Sequence, residues 1–132
     1  MPMELTLLSQ DDFLLATVAG QVSLKEALLL GKSAIDAATE QGLGMILMDC
    51  FAMTGELSVL ERYDLGKAMA EYCVSKSVCP KVALIGEPPA ITGFVAEVAS
   101  NRGLTTKAFF ESQSALKWLR AFGPKAGGIV KG

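Results

Sequence analysis

The middle of the chain reads Met45-Ile46-Leu47-Met48-Asp49-Cys50-Phe51-Ala52-Met53-Thr54-Gly55, an apolar run that ends at a carboxylate and is followed by a short polar loop. About four to eight apolar residues between turn formers are typical of a strand buried on both faces, usually inside a parallel sheet under helices. We therefore expect Met45–Asp49 to be a central parallel strand. Because open α/β sheets bind ligands and partners beyond the carboxyl ends of their strands, we expect the functional surface at the loop Cys50–Leu57.

Two helices are marked by capping boxes, which start at Ser23 and Ser58 and have a glutamate three residues later. In such a box the Ser and Glu side chains satisfy each other's backbone donors, so the pattern predicts helices over residues 24–41 and 59–75. The other apolar segments predict an antiparallel hairpin (3–8 and 13–18), strands over 82–85 and 105–110, a helix over 90–101 and a final helix from about Ser112.

The resulting order is ββαβαβαβα, which predicts one α/β domain with a mixed β-sheet. The sheet would consist of an N-terminal hairpin followed by parallel strands, with about four helices on one face or on both. We expect the domain to span residues 1–122. The glycine-rich segment 123–132 predicts a flexible C-terminal tail.

Composition and charge exclude several function classes. The net charge is -2 and the Lys and Arg residues are scattered, whereas nucleic-acid binding needs a basic stripe. No apolar run approaches the roughly 18 residues of a transmembrane helix, and the N-terminus lacks the basic region of a signal peptide. The three cysteines show no C-x-x-C spacing. We therefore expect a cytoplasmic protein with no transmembrane segment and no nucleic-acid partner.

The chain contains no histidine. Histidine is the commonest general base and the commonest metal ligand, and Ser-His and Cys-His nucleophile systems require it. Its absence argues against an enzyme, and the spacing of the other residues indicates neither a metal site nor a cofactor. The sequence thus predicts a non-catalytic protein with no metal and no cofactor.

A strand that ends in Asp49, followed by the apolar Met53 and by Thr54-Gly55 ahead of a capped helix, resembles the STAS domain. This family includes anti-sigma-factor antagonists and the tails of sulfate transporters. Its usual Asp-Ser-Ser is replaced here by Met53-Thr54. The resemblance implies a STAS-like fold, a regulatory or protein-binding function, and a phosphorylatable loop in which Thr54 is the phosphoacceptor.

The chain as a whole is similar to the SpoIIAA-like group of bacterial proteins. The similarity is carried by the C-terminal half, from Phe94 through the turn Asn101-Arg102-Gly103 to Phe109-Phe110 and the segment 115–119. It covers residues 3–122 and implies a SpoIIAA-like fold.

The candidate binding residues surround the carboxyl end of the central strand. They would form a surface for a protein partner or a ligand, with an apolar centre and a polar rim. The set comprises Asp49, Cys50, Phe51, Met53, Thr54, Gly55, Leu57, Ser58 and Glu87. A homodimer is open as an alternative to a separate partner.

Several of these residues have two interpretations. Thr54 is either a phosphoacceptor or a hydroxyl that bonds the local backbone. Asp49 either positions a partner or a cation, or accepts backbone N–H bonds and fixes the loop. Cys50 is either a reactive thiol or a buried structural one. Asp49, Glu56 and Glu87 are either a converging group for Mg²⁺ or acid–base chemistry, or separate solvated charges.

The second function hypothesis is a carrier or sensor of a small apolar ligand, lipid-like in character. It rests on the soft side chains of the chain, mainly Met45, Met48, Met53 and Met69, which either fill the core or line an apolar pocket. The ligand would lie between the sheet and the helix that follows Ser58.

Overall fold

The structure, a computed structural model, describes residues 2–126 of the chain. Within these residues it contains five strands and four helices, which confirms the predicted α/β order. The elements are β1 (Glu4–Ser9), β2 (Leu14–Gln21), α1 (Leu24–Glu40), β3 (Met45–Thr54), α2 (Val59–Ser75), β4 (Lys81–Ile85), α3 (Phe94–Asn101), β5 (Thr106–Phe109) and α4 (Ser112–Ala126).

The five strands form one mixed sheet in the order β1-β2-β3-β4-β5. β1 pairs with β2 in antiparallel fashion, and every later pair is parallel. Each of α1, α2 and α3 therefore connects two neighbouring parallel strands. Because such crossovers are almost always right-handed, successive crossovers in one direction place all three helices on the same face of the sheet.

The core consists of apolar layers on both faces of the sheet. Alternate strand residues point to opposite faces, so Ile46 and Val82 pack under α1, α2 and α3, whereas Leu47 and Ala83 pack under α4. The sequence left open whether helices cover one face or both. The structure shows three helices on one face and α4 on the other.

Lys81, at the start of β4, fixes α4 to the sheet. Its ammonium group donates hydrogen bonds to the carbonyl oxygens of Trp118 at 2.6 Å and Leu119 at 3.2 Å. The nitrogen also lies 4.5 Å from the centre of the Trp118 ring. Burial lowers the pKa of Lys81, and these partners offset the cost of placing a charge in the core.

The structure corrects the predicted loop Cys50–Leu57. Its first five residues are strand, because β3 continues to Thr54 instead of ending at Asp49. The reason is that β2 runs to Gln21, so Gly20 and Gln21 offer unpaired backbone groups to Met53 and Thr54. Only residues 55–58 form the connection to α2.

The predicted helix over residues 90–101 is also too long, since α3 begins at Phe94. The preceding segment contains the cis peptide bond Pro88–Pro89 and then Gly93, which has a φ of 95°. A residue in the left-handed region cannot continue a right-handed helix, so the helix starts only after it. The segment 86–93 is a turn.

The predicted domain boundary at residue 122 stays a prediction. α4 reaches Ala126, and the remainder of the predicted tail, residues 127–132, lies outside the described residues. α2 begins and ends at the predicted residues, and α1 ends one residue earlier than predicted.

Two helical glycines lie at helix contacts whose neighbouring atoms differ in how easily they can move. A Cβ on Gly66 of α2 would come within 2.7 Å of the carbonyl oxygen of Val95 and 2.9 Å of the Cβ of Val98, so α2 and α3 pack closely there. A Cβ on Gly31 of α1 would meet the sulfur of Met69 at 2.6 Å, the flexible part of a long side chain.

These contacts predict different outcomes for the same substitution. Alanine improves helix propensity at both sites by about 0.5–1 kcal/mol. Gly66→Ala should nevertheless lower the free energy of unfolding by about 1–3 kcal/mol, because backbone atoms must move. Gly31→Ala should change it by less than about 1 kcal/mol, because Met69 can shift. Urea unfolding of both variants measures the difference, and equal effects would contradict this account of the packing.

Candidate functional site

A cleft lies beyond the carboxyl ends of β3 and β4, where the sequence placed the functional surface. Its volume is about 240 Å³. The end of β3 forms one wall and the turn between β4 and α3 forms the other. The lining residues are Cys50, Phe51, Met53, Thr54, Gly55, Glu87, Pro88, Pro89 and Ala90. The structure therefore brings six of the nine predicted site residues into one cleft, while Asp49, Leu57 and Ser58 do not line it.

A register shift in β3 shapes this cleft. Thr17 pairs with Asp49, but Ala19 pairs with Ala52, so β3 holds one residue more than β2 between these pairs. Such a bulge leaves a backbone group without its ladder partner. The Oδ1 atom of Asp49 accepts a hydrogen bond from the N–H of Phe51 at 3.1 Å. The contact made by Asp49 is thus the one expected of a carboxylate that fixes the local backbone.

Cys50 is a buried thiol. Burial, with a smaller contribution from the negative charge of Asp49, raises the pKa of Cys50 to about 12. Burial also raises the pKa of Cys73 to about 11. A thiol reacts as its thiolate, so both cysteines are poor nucleophiles near neutral pH. Cys79, by contrast, is exposed.

Alkylation should therefore separate the three cysteines. At about pH 8, a thiol with a pKa near 12 is ionised in roughly one molecule in ten thousand, and burial also blocks the reagent. We expect iodoacetamide to label Cys79 in the folded protein and to leave Cys50 and Cys73 unlabelled. Peptide mass spectrometry measures the labelling, and the same protein in denaturant is the control, since all three thiols are then accessible. Labelling of Cys50 as fast as Cys79 would instead indicate a reactive thiol.

The three apolar residues predicted for a binding surface differ in exposure. Phe51 is exposed, Met53 is half-buried and Leu57 is buried. Met53 and Leu57 face a cavity under the helices. Of the three, Phe51 is therefore the most exposed residue, whereas Leu57 lines the interior cavity and Met53 lines both the cavity and the cleft.

Thr54 is the last residue of β3 and is exposed. Its carbonyl oxygen accepts a hydrogen bond from the N–H of Val22 at 2.9 Å, but its hydroxyl makes no hydrogen bond within residues 2–126. The next residue, Gly55, has a φ of 78°, which turns the chain towards α2. The Thr54 hydroxyl is thus accessible from solvent at the mouth of the cleft.

Ser58 is fully used as a helix cap. Its side chain accepts a hydrogen bond from the N–H of Glu61 at 3.1 Å, and the Glu61 carboxylate accepts one from the N–H of Ser58 at 2.9 Å. Both halves of the predicted capping box are therefore present. Residues 55–57 separate this helix start from Thr54.

The acidic residues do not form one group. Asp49 bonds the backbone of Phe51, Glu56 lies 3.6 Å from the guanidinium group of Arg62, and Glu87 lines the cleft. Within residues 2–126, no three Asp, Glu, Cys or His side chains are close enough to share a metal ion.

Sequence reasoning missed Arg62, which connects the two walls of the site. Only 12% of its side chain is exposed, and its Nη2 atom donates a hydrogen bond to the carbonyl oxygen of Pro89 at 2.8 Å. Its ion pair with Glu56 links the same group to the connection before α2. The sequence did contain a signal: Arg62, Leu65 and Met69 share one helical face, so a charged residue belongs to the buried stripe.

Two exposed apolar residues, Val59 and Leu60, were also missed. They form the first turn of α2, which starts four residues after Gly55 of the cleft lining, and lie off the buried face of that helix. The sequence did contain a signal, because both residues are apolar but lie outside the apolar stripe of the helix. A helix that only covers a core has polar residues at such positions.

A second, apolar cavity of about 120 Å³ lies under the cleft, between the sheet and the helices α1, α2 and α3. Cys50, Met53 and Ala90 line both spaces. Within residues 2–126, none of the helices is both long enough and apolar enough to cross a membrane.

No family model and no curated protein matches the chain. The solved structures do show similarities. An anti-sigma factor antagonist from Mycobacterium paratuberculosis aligns with a TM-score of 0.61 and 16% identity, over 89% of this chain and 94% of that one. An uncharacterised protein with a SpoIIAA-like fold from Shewanella loihica aligns with a TM-score of 0.53 and 20% identity, over 89% and 93%.

A third structure is the anti-sigma factor antagonist SpoIIAA in its unphosphorylated form. It aligns with a TM-score of 0.50 and 13% identity, over 91% of this chain and 99% of that one. At these identities the comparisons concern the fold. They confirm the fold that the resemblance implied: the chain has a SpoIIAA-like fold, which it shares with anti-sigma factor antagonists.

Proposed function

We propose that this protein is a cytoplasmic, non-catalytic regulatory module that binds a partner protein through the rim of the cleft. The observation that carries the proposal is the distribution of exposed apolar side chains. Eight large apolar residues are exposed in the described chain, and four of them lie at the carboxyl edge of the sheet: Phe51, Val59, Leu60 and Phe110. The structural neighbours that are anti-sigma factor antagonists support a regulatory role.

The composition of this rim suits a docking surface. Phe51 offers a large aromatic side chain, and aromatic anchors supply much of the affinity at protein interfaces. Glu56 and Glu87 add exposed negative charges around it. An apolar centre with a charged border matches the anatomy of interfaces between proteins that also exist separately, so the partner should present apolar side chains with basic residues at their edge.

A matched pair of substitutions on α2 tests the proposal. Leu60 is 69% exposed at the start of the helix, and Val74 is 73% exposed at its far end. Leu60→Glu should weaken partner binding by at least about tenfold, because it places a charge in the docking surface. Val74→Glu should leave binding within about twofold of the unsubstituted protein. Tagged versions purified from their native cells, with bound proteins quantified by mass spectrometry, give the comparison.

Three outcomes separate the interpretations. A protein bound by the unsubstituted chain and by Val74→Glu, but lost from Leu60→Glu, supports docking at this edge. A protein bound equally by all three excludes this edge as the surface. If the bound protein is a second copy of the same chain, sedimentation of the purified protein identifies a homodimer, and the partner proposed here is wrong.

We further propose that Thr54 is a phosphoacceptor that switches this docking. Its free hydroxyl at the mouth of the cleft is accessible to a kinase. A phosphate there would add roughly two negative charges beside Glu87 and the apolar Phe51. Because such a charge cannot be desolvated cheaply in an apolar contact, phosphorylation would release the partner. The neighbour solved in its unphosphorylated form lends support to such a switch.

The mass of the protein from native cells tests the switch. We expect a phosphorylated fraction whose fragment spectra place the phosphate on Thr54, and Thr54→Glu should weaken partner binding by at least about tenfold. Thr54→Val, which keeps the shape of the side chain without the hydroxyl, is the matched control and should bind like the unsubstituted protein. Full binding by Thr54→Glu would rule out the switch while leaving the docking surface intact.

A second candidate function is the carriage or sensing of a small apolar ligand. The specific observation in its favour is the cavity between the sheet and the helices, whose wall includes α2, as the ligand hypothesis requires. Met48, Met53 and Met69 all line it, and such flexible side chains adapt to different apolar ligands. Docking and ligand binding use different residues, so one can fail without the other.

A further inference from the structure

We propose that the apolar cavity is a binding site for one uncharged molecule about the size of benzene, which enters from the cleft. The inference rests on the second candidate function and gives it a ligand class, a ligand size and an entrance. It does not depend on the protein-docking surface, because Leu60 does not line the cavity.

The volume of the cavity sets the size of the ligand. It measures about 120 Å³. This is close to the volume of an engineered apolar cavity in another protein, about 150 Å³, which contains no water and binds benzene or xenon. A single aromatic ring or a short branched hydrocarbon fits this space. A long acyl chain does not, unless most of it extends into the cleft.

The chemistry of the wall sets the polarity of the ligand. The lining residues are apolar apart from Arg62 and Thr106. Thr106 donates its hydroxyl proton to the carbonyl oxygen of Leu104 at 3.1 Å, and Arg62 bonds the carbonyl oxygen of Pro89 in the surface turn. No buried side-chain nitrogen or oxygen within residues 2–126 lacks a hydrogen-bond partner.

Water therefore gains little by entering this cavity. A buried water molecule needs about two to four polar partners, and this wall has already committed its polar groups elsewhere. A charged ligand would lose its hydration without a free counter-charge in return. An uncharged apolar molecule has no such strong hydration to lose, and binding removes its apolar surface from water. It is therefore the class of ligand that the wall favours.

Small residues on α1 leave room for Met69 and for the cavity. Ala27, Gly31 and Ala34 line the cavity from one face of that helix. Opposite them lie long side chains from the sheet and from α2, including Met48 and Met69. Methionine adjusts its shape at little cost, so the cavity can fit itself to a ligand without moving the backbone.

The entrance lies where the cavity meets the cleft. Cys50, Met53 and Ala90 belong to both linings, so the two spaces meet at these residues. Arg62 lies beside them and ties the turn at Pro89 to the connection at Glu56. A ligand would pass between Met53 and Ala90, with the Arg62 bridge limiting how far the walls can separate.

The methionines of the protein make the site directly observable. Met3, Met48, Met53 and Met69 line the cavity, whereas Met45 packs on the opposite face of the sheet under α4. With carbon-13 in the methionine methyl groups, a titration with benzene should shift the four lining signals along one saturating curve. The Met45 signal should stay in place and serves as the internal control.

A pair of substitutions on α1 tests whether the cavity itself binds the probe. Ala34 lines the cavity, whereas Ala37, three residues later, does not. Ala34→Leu should fill the space and reduce the affinity for benzene at least tenfold. Ala37→Leu adds the same atoms to the same helix and should leave the affinity within about twofold. Ala27→Leu, at a less buried lining position, is the second filling variant if Ala34→Leu does not fold.

The entrance has its own test. Arg62→Leu places an apolar side chain at this position and adds no methionine signal, but removes the guanidinium group that bonds Pro89 and Glu56. Benzene should therefore exchange at least about threefold faster, measured from the methionine line shapes. An unchanged exchange rate would overturn the proposal that the ligand enters at this point.

The outcomes of the titration decide the proposal. Saturating shifts that spare Met45 and disappear in the filling variant support it. No shifts up to the solubility of benzene, or equal shifts at Met45, overturn it, because the former means no site and the latter means unspecific partition into the core. Either of these failures leaves protein docking untouched, since the Leu60→Glu comparison measures docking without any ligand.

Discussion

The parallel pairing of β2 with β3 continues past the bulge, where Gly20 pairs with Met53 and Gln21 with Thr54. This extension lifts the end of β3 above Ile85, where β4 ends, and so creates one wall of the cleft. The bulge also shifts the alternation of inward and outward side chains in β3 by one residue. Cys50 and Met53 both face the helices, although they are three residues apart, and the intervening Phe51 is exposed. The cavity and the proposed docking surface depend on that one extra residue.

The two ends of the sheet have different roles. At the amino ends of the parallel strands, Lys81 fixes α4, and an ion pair between Arg120 and Asp12 joins α4 to the turn between β1 and β2. These contacts join the elements at that end, although Leu8 and Val74 are exposed there. At the carboxyl ends lie an open cleft, exposed apolar side chains and a free hydroxyl on Thr54. The two ends differ because the parallel strands have all of their carboxyl ends at the same end of the sheet.

The cleft and the cavity share walls, so the two proposed occupants would lie next to each other. A protein partner would contact the exposed rim around Phe51, and a small apolar molecule would lie below Met53. Arg62 reaches both, because it lines the cavity and bonds the turn at Pro89. A ligand that moves Met53 or Arg62 would therefore also move the rim. In this chain, the SpoIIAA-like fold places a surface cleft next to an interior apolar cavity.

The sequence by itself determined the order of the elements, the strand at Met45, the capped start of α2 and the edge of the sheet that holds the cleft. These features follow from local patterns: apolar runs, capping boxes and the rule for parallel strands. Only the tertiary structure decided the bulge after Asp49, the exposure of Phe51 against the burial of Leu57, and the bridge formed by Arg62. Each of these depends on a partner distant in sequence, such as the length of β2 or the position of Pro89, and local patterns do not contain that partner.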